Sequence, residues 1–73
     1  MKNLKMNNFD SYINKKGFIL TTTNNTLEYD NSKYNQHIIF SNDNKEIVFY
    51  GNLNSFSYNE LLLLVEKCEE IGW

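Results

Sequence analysis

The C-terminal stretch FSYNELLLLVEKCEEIGW, Phe56 to Trp73, carries start and stop signals for one α-helix. Ser57 followed three residues later by Glu60 is a capping box, in which each side chain can bond to the backbone N–H of the other residue. Gly72 suits the left-handed position just past a helix, and a Schellman ending would then place Trp73 against the last turn. The stretch therefore predicts a helix that begins after Ser57 and ends before Gly72.

The apolar residues of this helix recur at three- and four-residue spacing, which is typical of a helix with one buried side. The predicted buried stripe consists of Leu61, Leu64, Val65, Cys68 and Ile71. Glu66, Glu69 and Glu70 fall largely on the other side, near the C-terminal end, where negative charge opposes the helix dipole. These glutamates are either solvated surface or an acidic contact offered to a basic partner.

Two hairpins are predicted in the middle of the chain, each with apolar and β-branched residues on both sides of a short polar turn. In the first hairpin, residues 18–23 and 26–30 flank the pair Asn24-Asn25, which tolerates the positive φ of a tight turn. In the second, residues 36–41 and 45–50 flank Asp43-Asn44.

The turns set a register, and the register decides which residues share a face of the sheet. The predicted cross-strand pairs are Thr22 with Leu27, Leu20 with Tyr29, Phe40 with Ile47, Ile38 with Phe49, Ile39 with Val48 and His37 with Tyr50. The first four pairs belong to a core face. The last two pairs, together with Ile19, belong to the opposite face. This face is more apolar than a sheet face in contact with solvent usually is.

The segment NFDSYINKKG, residues 8–17, predicts a short amphipathic helix with an asparagine cap and a glycine after it. The whole chain, residues 1–73, is thus predicted to be one α+β domain, a two-layer αββββα fold with a four-stranded antiparallel sheet and both helices on one face. If one helix covered each face instead, the second face would be a small core. Residues 1–6, with Lys2 and Lys5, are either a loosely held terminus or a basic docking arm.

The composition disfavours several classes of function. A single cysteine permits neither an intramolecular disulfide nor a cysteine cluster for zinc, and the longest apolar run, Leu61 to Val65, is far shorter than the ~20 residues of a membrane span. We therefore expect a cytoplasmic protein without a membrane segment. All seven basic residues are lysines and the net charge is −2, so nucleic-acid binding is disfavoured, since arginine supplies the bidentate phosphate and base contacts.

No catalytic group or cofactor site is predicted. His37 is the only histidine, and as a general base it would need an orienting carboxylate, for which Asp30 and Glu28 are the candidates. Cys68 could in principle act as a nucleophile beside it, but a thiol on the buried stripe is an inert small hydrophobe. Because no metal-ligand spacing and no glycine-rich phosphate loop occurs, we expect no enzyme, no metal and no cofactor.

In size, composition and αββββα order, the chain resembles the small single-domain proteins of phages and mobile elements of AT-rich bacteria, among which anti-CRISPR and other anti-defence inhibitors are common. The resemblance implies an inhibitor that binds a host effector protein stoichiometrically. The candidate contact residues are His37, Ile39, Val48 and Tyr50 on the uncovered sheet face and Glu66, Glu69 and Glu70 on the last helix. The alternatives are a nucleic-acid-binding accessory protein that uses the lysines with Tyr34 or Tyr50, and a homodimer joined through the sheet.

Overall fold

The computed structural model describes residues 8–53 and 55–73. Its elements are α1 (Asn8–Lys15), β1 (Ile19–Thr22), β2 (Thr26–Asn31), β3 (Gln36–Ser41), β4 (Glu46–Gly51) and α2 (Tyr58–Glu70). The strands form one antiparallel sheet in the order β1-β2-β3-β4, so each strand pairs with the next one along the chain. The predicted αββββα layout of the α+β class is confirmed. The two alternatives for residues 1–6 lie outside the described residues.

The chain divides into two compact units. One combines both ends of the chain, Met1–Lys16 and Ser55–Trp73, and the other, Gly17–Asn54, contains the sheet. That the 73 residues form one domain, with both helices on one face of the sheet, stays a prediction.

The pairing within the sheet follows the predicted registers. β1 and β2 pair Thr22 with Leu27 and Leu20 with Tyr29, and all four pairs predicted between β3 and β4 are present. β2 and β3 also pair directly, which places Asp30 opposite His37 and Glu28 opposite Ile39. The alternation of the two hairpins therefore separates the side chains into the two predicted faces.

The core face holds the most deeply buried side chains of the described residues. These are Tyr29, Ile38 and Phe40, and the rings of Tyr29 and Phe40 meet edge to face with their centroids 5.8 Å apart. Such a geometry adds attraction between aromatic rings beyond the burial of their area.

Two of the loops between strands end on a left-handed residue. Residues 32–35 join β2 to β3 and residues 42–45 join β3 to β4, and the last residue of each loop, Asn35 or Lys45, has a φ of 54°. The prediction that Lys45 begins the last strand is therefore wrong, because β4 begins at Glu46. A four-residue loop built around a type I turn needs a different backbone from a two-residue turn, and here its last residue is left-handed.

The left-handed position of Lys45 leads to a stability prediction. A residue with a Cβ atom loses about 1–2 kcal/mol in this conformation, whereas glycine does not. After the greater freedom of glycine in the unfolded chain is allowed for, Lys45→Gly should raise the free energy of unfolding by roughly 0.5 kcal/mol. Urea unfolding would measure the change against Lys33→Gly, which alters the other loop at a position without positive φ. The explanation is wrong if both substitutions destabilise equally.

α2 has the predicted caps at both ends. The Ser57 hydroxyl accepts a hydrogen bond from the Glu60 N–H at 3.1 Å, and the Glu60 carboxylate accepts one from the Ser57 N–H at 2.7 Å. At the other end, Gly72 has a φ of 94°, and the N–H groups of Gly72 and Trp73 make the two hydrogen bonds of a Schellman ending, at 3.1 and 2.9 Å. The local sequence therefore fixes the length of this helix.

Polar contacts join α1 to α2. The ammonium group of Lys67, a residue only 6% exposed, donates to Asp10 at 3.1 Å and to Glu70 at 3.2 Å. The Tyr12 hydroxyl donates to Glu60 at 2.5 Å. This last bond lowers the pKa of the Glu60 carboxyl and raises the pKa of the Tyr12 hydroxyl from their ordinary values. These contacts decide which side of α2 faces α1.

The buried stripe predicted for α2 is wrong at two positions. Leu64 is buried as predicted, but Leu61 and Val65 are exposed. Lys67, which a count of apolar residues assigns to the polar side, is buried instead. Its ammonium group is neutralised by Asp10 and its hydrocarbon stem can pack like an apolar side chain, so this position turns inward.

Candidate functional site

α2 exposes a row of large apolar side chains along one side. Tyr58 is 75% exposed, Leu61 49%, Leu62 48% and Val65 55%. Their spacing of i, i+3, i+4 and i+7 places all four on the same side of the helix, and we call this surface the α2 stripe. Single exposed apolar residues are ordinary, but contiguous ones mark sites of interaction.

Two of the three predicted glutamates lie beside the α2 stripe. Glu66 and Glu69 are exposed, and each follows a stripe residue by four positions on the same side of the helix. Glu70 is different, because its carboxylate accepts a hydrogen bond from the buried Lys67. It therefore makes an ion pair within α2, and it does not belong to the stripe's acidic border.

The α2 stripe is not predicted from the sequence, because the apolar spacing assigns Leu61 and Val65 to the core. A signal was present, however. Residues 61–65 are five consecutive apolar residues, and a helix turns once every 3.6 residues, so such a run necessarily reaches more than one side of the helix.

The sheet has a second surface, which contains the four predicted sheet residues. Ile19, Val48 and Tyr50 are exposed and His37 and Ile39 are half-buried, so this band is not a second core. The registers align its residues in two rows across the sheet, and we call them together the open face: Ile19, Asp30, His37 and Tyr50, then Thr21, Glu28, Ile39 and Val48.

His37 lies in a polar cluster on the open face. Its Nδ1 atom is 2.5 Å from Asp30 Oδ1, its Nε2 atom is 3.0 Å from Asn35 Oδ1, and its ring stacks on Tyr50 with the centroids 4.3 Å apart. Ligand atoms of Glu28, Asp30 and His37 lie within 4.8 Å of one another. Both carboxylates that the sequence offered as partners for His37 are therefore close to it.

The cluster carries an excess of negative charge. Burial, followed by the neighbouring Asp30 carboxylate, raises the pKa of Glu28. Burial, followed by Glu28 and Asp30, raises the pKa of the Tyr50 hydroxyl. Among residues 8–53 and 55–73, the one ion pair that these carboxylates make is that of Asp30 with His37. Two carboxylates thus lie beside a single histidine.

This arrangement suits cation binding better than proton transfer. Asp30 orients His37 as a carboxylate orients a catalytic base, but the Nε2 atom that would face a substrate bonds to Asn35. Cys68, the other residue considered for catalysis, is half-buried, and burial raises the pKa of its thiol, which disfavours the reactive thiolate. Glu28, Asp30 and His37, in contrast, offer oxygen and nitrogen atoms that metals bind.

Comparisons of the chain with known protein families, with curated proteins and with solved structures find no match. No helix in the described part of the chain is long and apolar enough to span a bilayer. The fold and its surfaces define the class: a small α+β domain of αββββα layout with an apolar stripe along its second helix and an open sheet face.

Proposed function

We propose that this chain is a non-enzymatic protein-binding domain that binds its partner through the α2 stripe. The observation that carries the proposal is the exposure of Tyr58, Leu61, Leu62 and Val65 on one side of a helix with both ends capped. Burying apolar surface in a partner is favourable by about 25 cal/mol per Å². A helix that presents anchors at these spacings commonly lies in an apolar groove of its partner.

The charges beside the stripe indicate the chemistry of that groove. Glu66 and Glu69 border the stripe, whereas Lys67, the single lysine of α2, is buried on another side of the helix. The two glutamates also lie near the negative end of the helix dipole, where they repel it. A groove bordered by lysine or arginine would relieve this repulsion and would select against acidic partners. We therefore propose a partner protein with an apolar groove and a basic rim.

We further propose that the partner is a host effector protein in the cytoplasm and that binding inhibits it stoichiometrically, as the resemblance to phage and mobile-element proteins implies. A domain of 73 residues suits this role, because inhibition by binding requires only a surface that blocks the effector. The open face, with His37, Ile39, Val48 and Tyr50, is the alternative surface for this contact.

Paired substitutions on the two surfaces test this proposal. Leu62→Glu with Val65→Glu places charge in the α2 stripe, and Tyr50→Ala with Val48→Asp does the same on the open face. Proteins captured from the natural host by the unmodified chain would be purified, and their affinity for each variant measured by calorimetry. We expect the stripe variant to bind at least ~100-fold more weakly, because central apolar anchors commonly contribute 2 kcal/mol or more each. We expect the open-face variant to bind within threefold of the unmodified chain.

Several outcomes would contradict the proposal. Loss of binding in the open-face variant alone would show that the partner binds the sheet and not the α2 stripe. If both variants are folded, as judged by circular dichroism, and both bind as tightly as the unmodified chain, neither surface is the contact. Sedimentation at several concentrations tests whether the chain binds a second copy of itself. Self-association that is lost only in the stripe variant would show that this second copy binds the α2 stripe.

A further inference from the structure

Backbone geometry brings the three side chains Glu28, Asp30 and His37 together. Asp30 and His37 are direct cross-strand partners on β2 and β3, and Glu28 lies two residues from Asp30 on the same face. Their ligand atoms lie within 4.8 Å of one another. Around a bound zinc ion, with bonds of about 2.0–2.2 Å, ligand atoms stand roughly 3–3.5 Å apart. Small rotations of the Glu28 and Asp30 side chains about their own bonds would close this difference.

The imidazole ring of His37 is already oriented for binding an ion between the strands. Its Nε2 atom faces Asn35, and its ring lies parallel to Tyr50 within 10°. Histidines that bind metals almost always donate their second N–H to an oxygen, which fixes the tautomer and leaves the other nitrogen as the ligand. The Asn35 oxygen, 3.0 Å from Nε2, can accept such a bond once Nδ1 has released its proton to bind an ion, and this residue lies outside the set of ligands. The Nδ1 lone pair is then directed at the two carboxylates.

The charge of the cluster also favours a cation. The Asp30 carboxylate lies 2.5 Å from His37 Nδ1, and a metal ion would take the place of the proton in this contact as the two atoms moved apart to roughly 3–3.5 Å. The neighbouring Glu28 carboxylate adds a second negative charge, and no lysine of the described residues pairs with either carboxylate. A divalent ion would neutralise both charges.

The mixture of ligand atoms selects the class of ion. Magnesium and calcium bind oxygen ligands, whereas imidazole suits zinc, copper, nickel and iron. One nitrogen and two carboxylates occupy three positions, and the half-exposed cluster leaves the remaining positions to water.

We propose that Glu28, Asp30 and His37 form a binding site for a divalent first-row transition-metal ion, with Zn²⁺ as the ion to be tested first. This differs from the expectation of no metal drawn from the sequence. The ligands lie on two strands with the spacing Glu-x-Asp followed seven residues later by His, which matches none of the short metal-binding motifs. The proposal concerns the sheet and is independent of the function proposed for the α2 stripe.

Titration of the full chain with Zn²⁺ tests the proposal, with the bound ion counted by calorimetry and the His37 ring nitrogens followed by NMR. We expect one Zn²⁺ per chain, a large shift of the Nδ1 resonance, and at least tenfold weaker binding of Mg²⁺ and Ca²⁺. His37→Gln should abolish binding, and Asp30→Asn and Glu28→Gln should each weaken it at least ~10-fold. Asn35→Gly, which keeps the positive φ, should also weaken it ~10-fold without changing the stoichiometry.

Glu46→Gln is the matched control, because Glu46 lies on the same face of the sheet but outside the cluster. It should bind Zn²⁺ within threefold of the unmodified chain, as should Cys68→Ser. The proposal is overturned if the unmodified chain does not bind Zn²⁺, if Glu46→Gln weakens binding as much as Glu28→Gln, or if binding survives in His37→Gln and is lost in Cys68→Ser. Circular dichroism of each variant separates lost binding from lost folding.

Discussion

Replacing Gly51 with alanine is expected to destabilise the fold more than any other change at a glycine. Gly51 ends β4 with a φ of 87°, and a Cβ atom at this position would overlap the backbone carbonyl of Asn35. That carbonyl cannot simply move away, since it accepts a hydrogen bond from the Asn52 N–H at 2.7 Å. The left-handed backbone costs alanine about 1–2 kcal/mol and the overlap a further 1–3 kcal/mol.

The expected loss of roughly 2–5 kcal/mol is a large part of the stability of a chain this short, which at typical values per residue is about 4–11 kcal/mol. Urea unfolding would measure it, with Gly72→Ala as the control. Gly72 has a similar φ of 94°, but a Cβ atom there would meet nothing within 4 Å. Gly72→Ala should therefore lower the free energy of unfolding only by the cost of the left-handed backbone, about 1–2 kcal/mol. Equal losses at the two glycines would show that the close approach of Asn35 does not matter.

Phe40→Ala is expected to lower the free energy of unfolding by about 3–5 kcal/mol, the usual cost of removing a fully buried phenylalanine side chain. Phe40 has no exposed surface, and its ring meets Tyr29 at an interplanar angle of 72°. Truncation would remove this aromatic contact and leave a cavity on the core face of β3. Since the whole stability is of similar size, a substantial fraction of the molecules should be unfolded at 37 °C.

The matched control for this change is Phe49→Ala. Phe49 belongs to the same face, opposite Ile38 on β4, but it is 40% exposed. Phe49→Ala should lower the free energy of unfolding clearly less than Phe40→Ala does. The substitution removes less buried apolar area, and the neighbouring side chains can fill the resulting cavity more easily. Thermal and urea unfolding of both variants provide the comparison. If Phe49→Ala were as costly as Phe40→Ala, the core of the sheet would be centred elsewhere.

The features predicted correctly from the sequence are those that depend on neighbouring residues. The capping box at Ser57 and Glu60 and the Schellman ending at Gly72 are local patterns, and both are present. The registers of the two predicted hairpins follow from short turns and strict alternation. The left-handed Lys45 was missed because lysine gives no signal for that conformation.

The features that the sequence did not reveal depend on residues far apart along the chain. The exposure of Leu61 and Val65 follows from the burial of Lys67, which pairs with Asp10 at a distance of 57 residues in sequence. The sequence offered Asp30 and Glu28 as candidate partners of His37, but it did not predict the pairing of β2 with β3 that brings them together, because the loop between these strands was predicted only as a polar connection. Neither contact has a periodic pattern, so residue spacing alone could not reveal it.

The helical unit is built from both ends of the chain, and this has a consequence for the order of events during synthesis. α1 is synthesised before the sheet, but its eight residues are too few to stay helical alone, and its partners Glu60 and Lys67 follow the sheet in sequence. The sheet, in contrast, is one uninterrupted segment whose strands all pair with their neighbours in sequence. The nascent chain can therefore pair the strands of the sheet while α2 is still inside the exit tunnel, and the helical unit can close only once α2 has emerged.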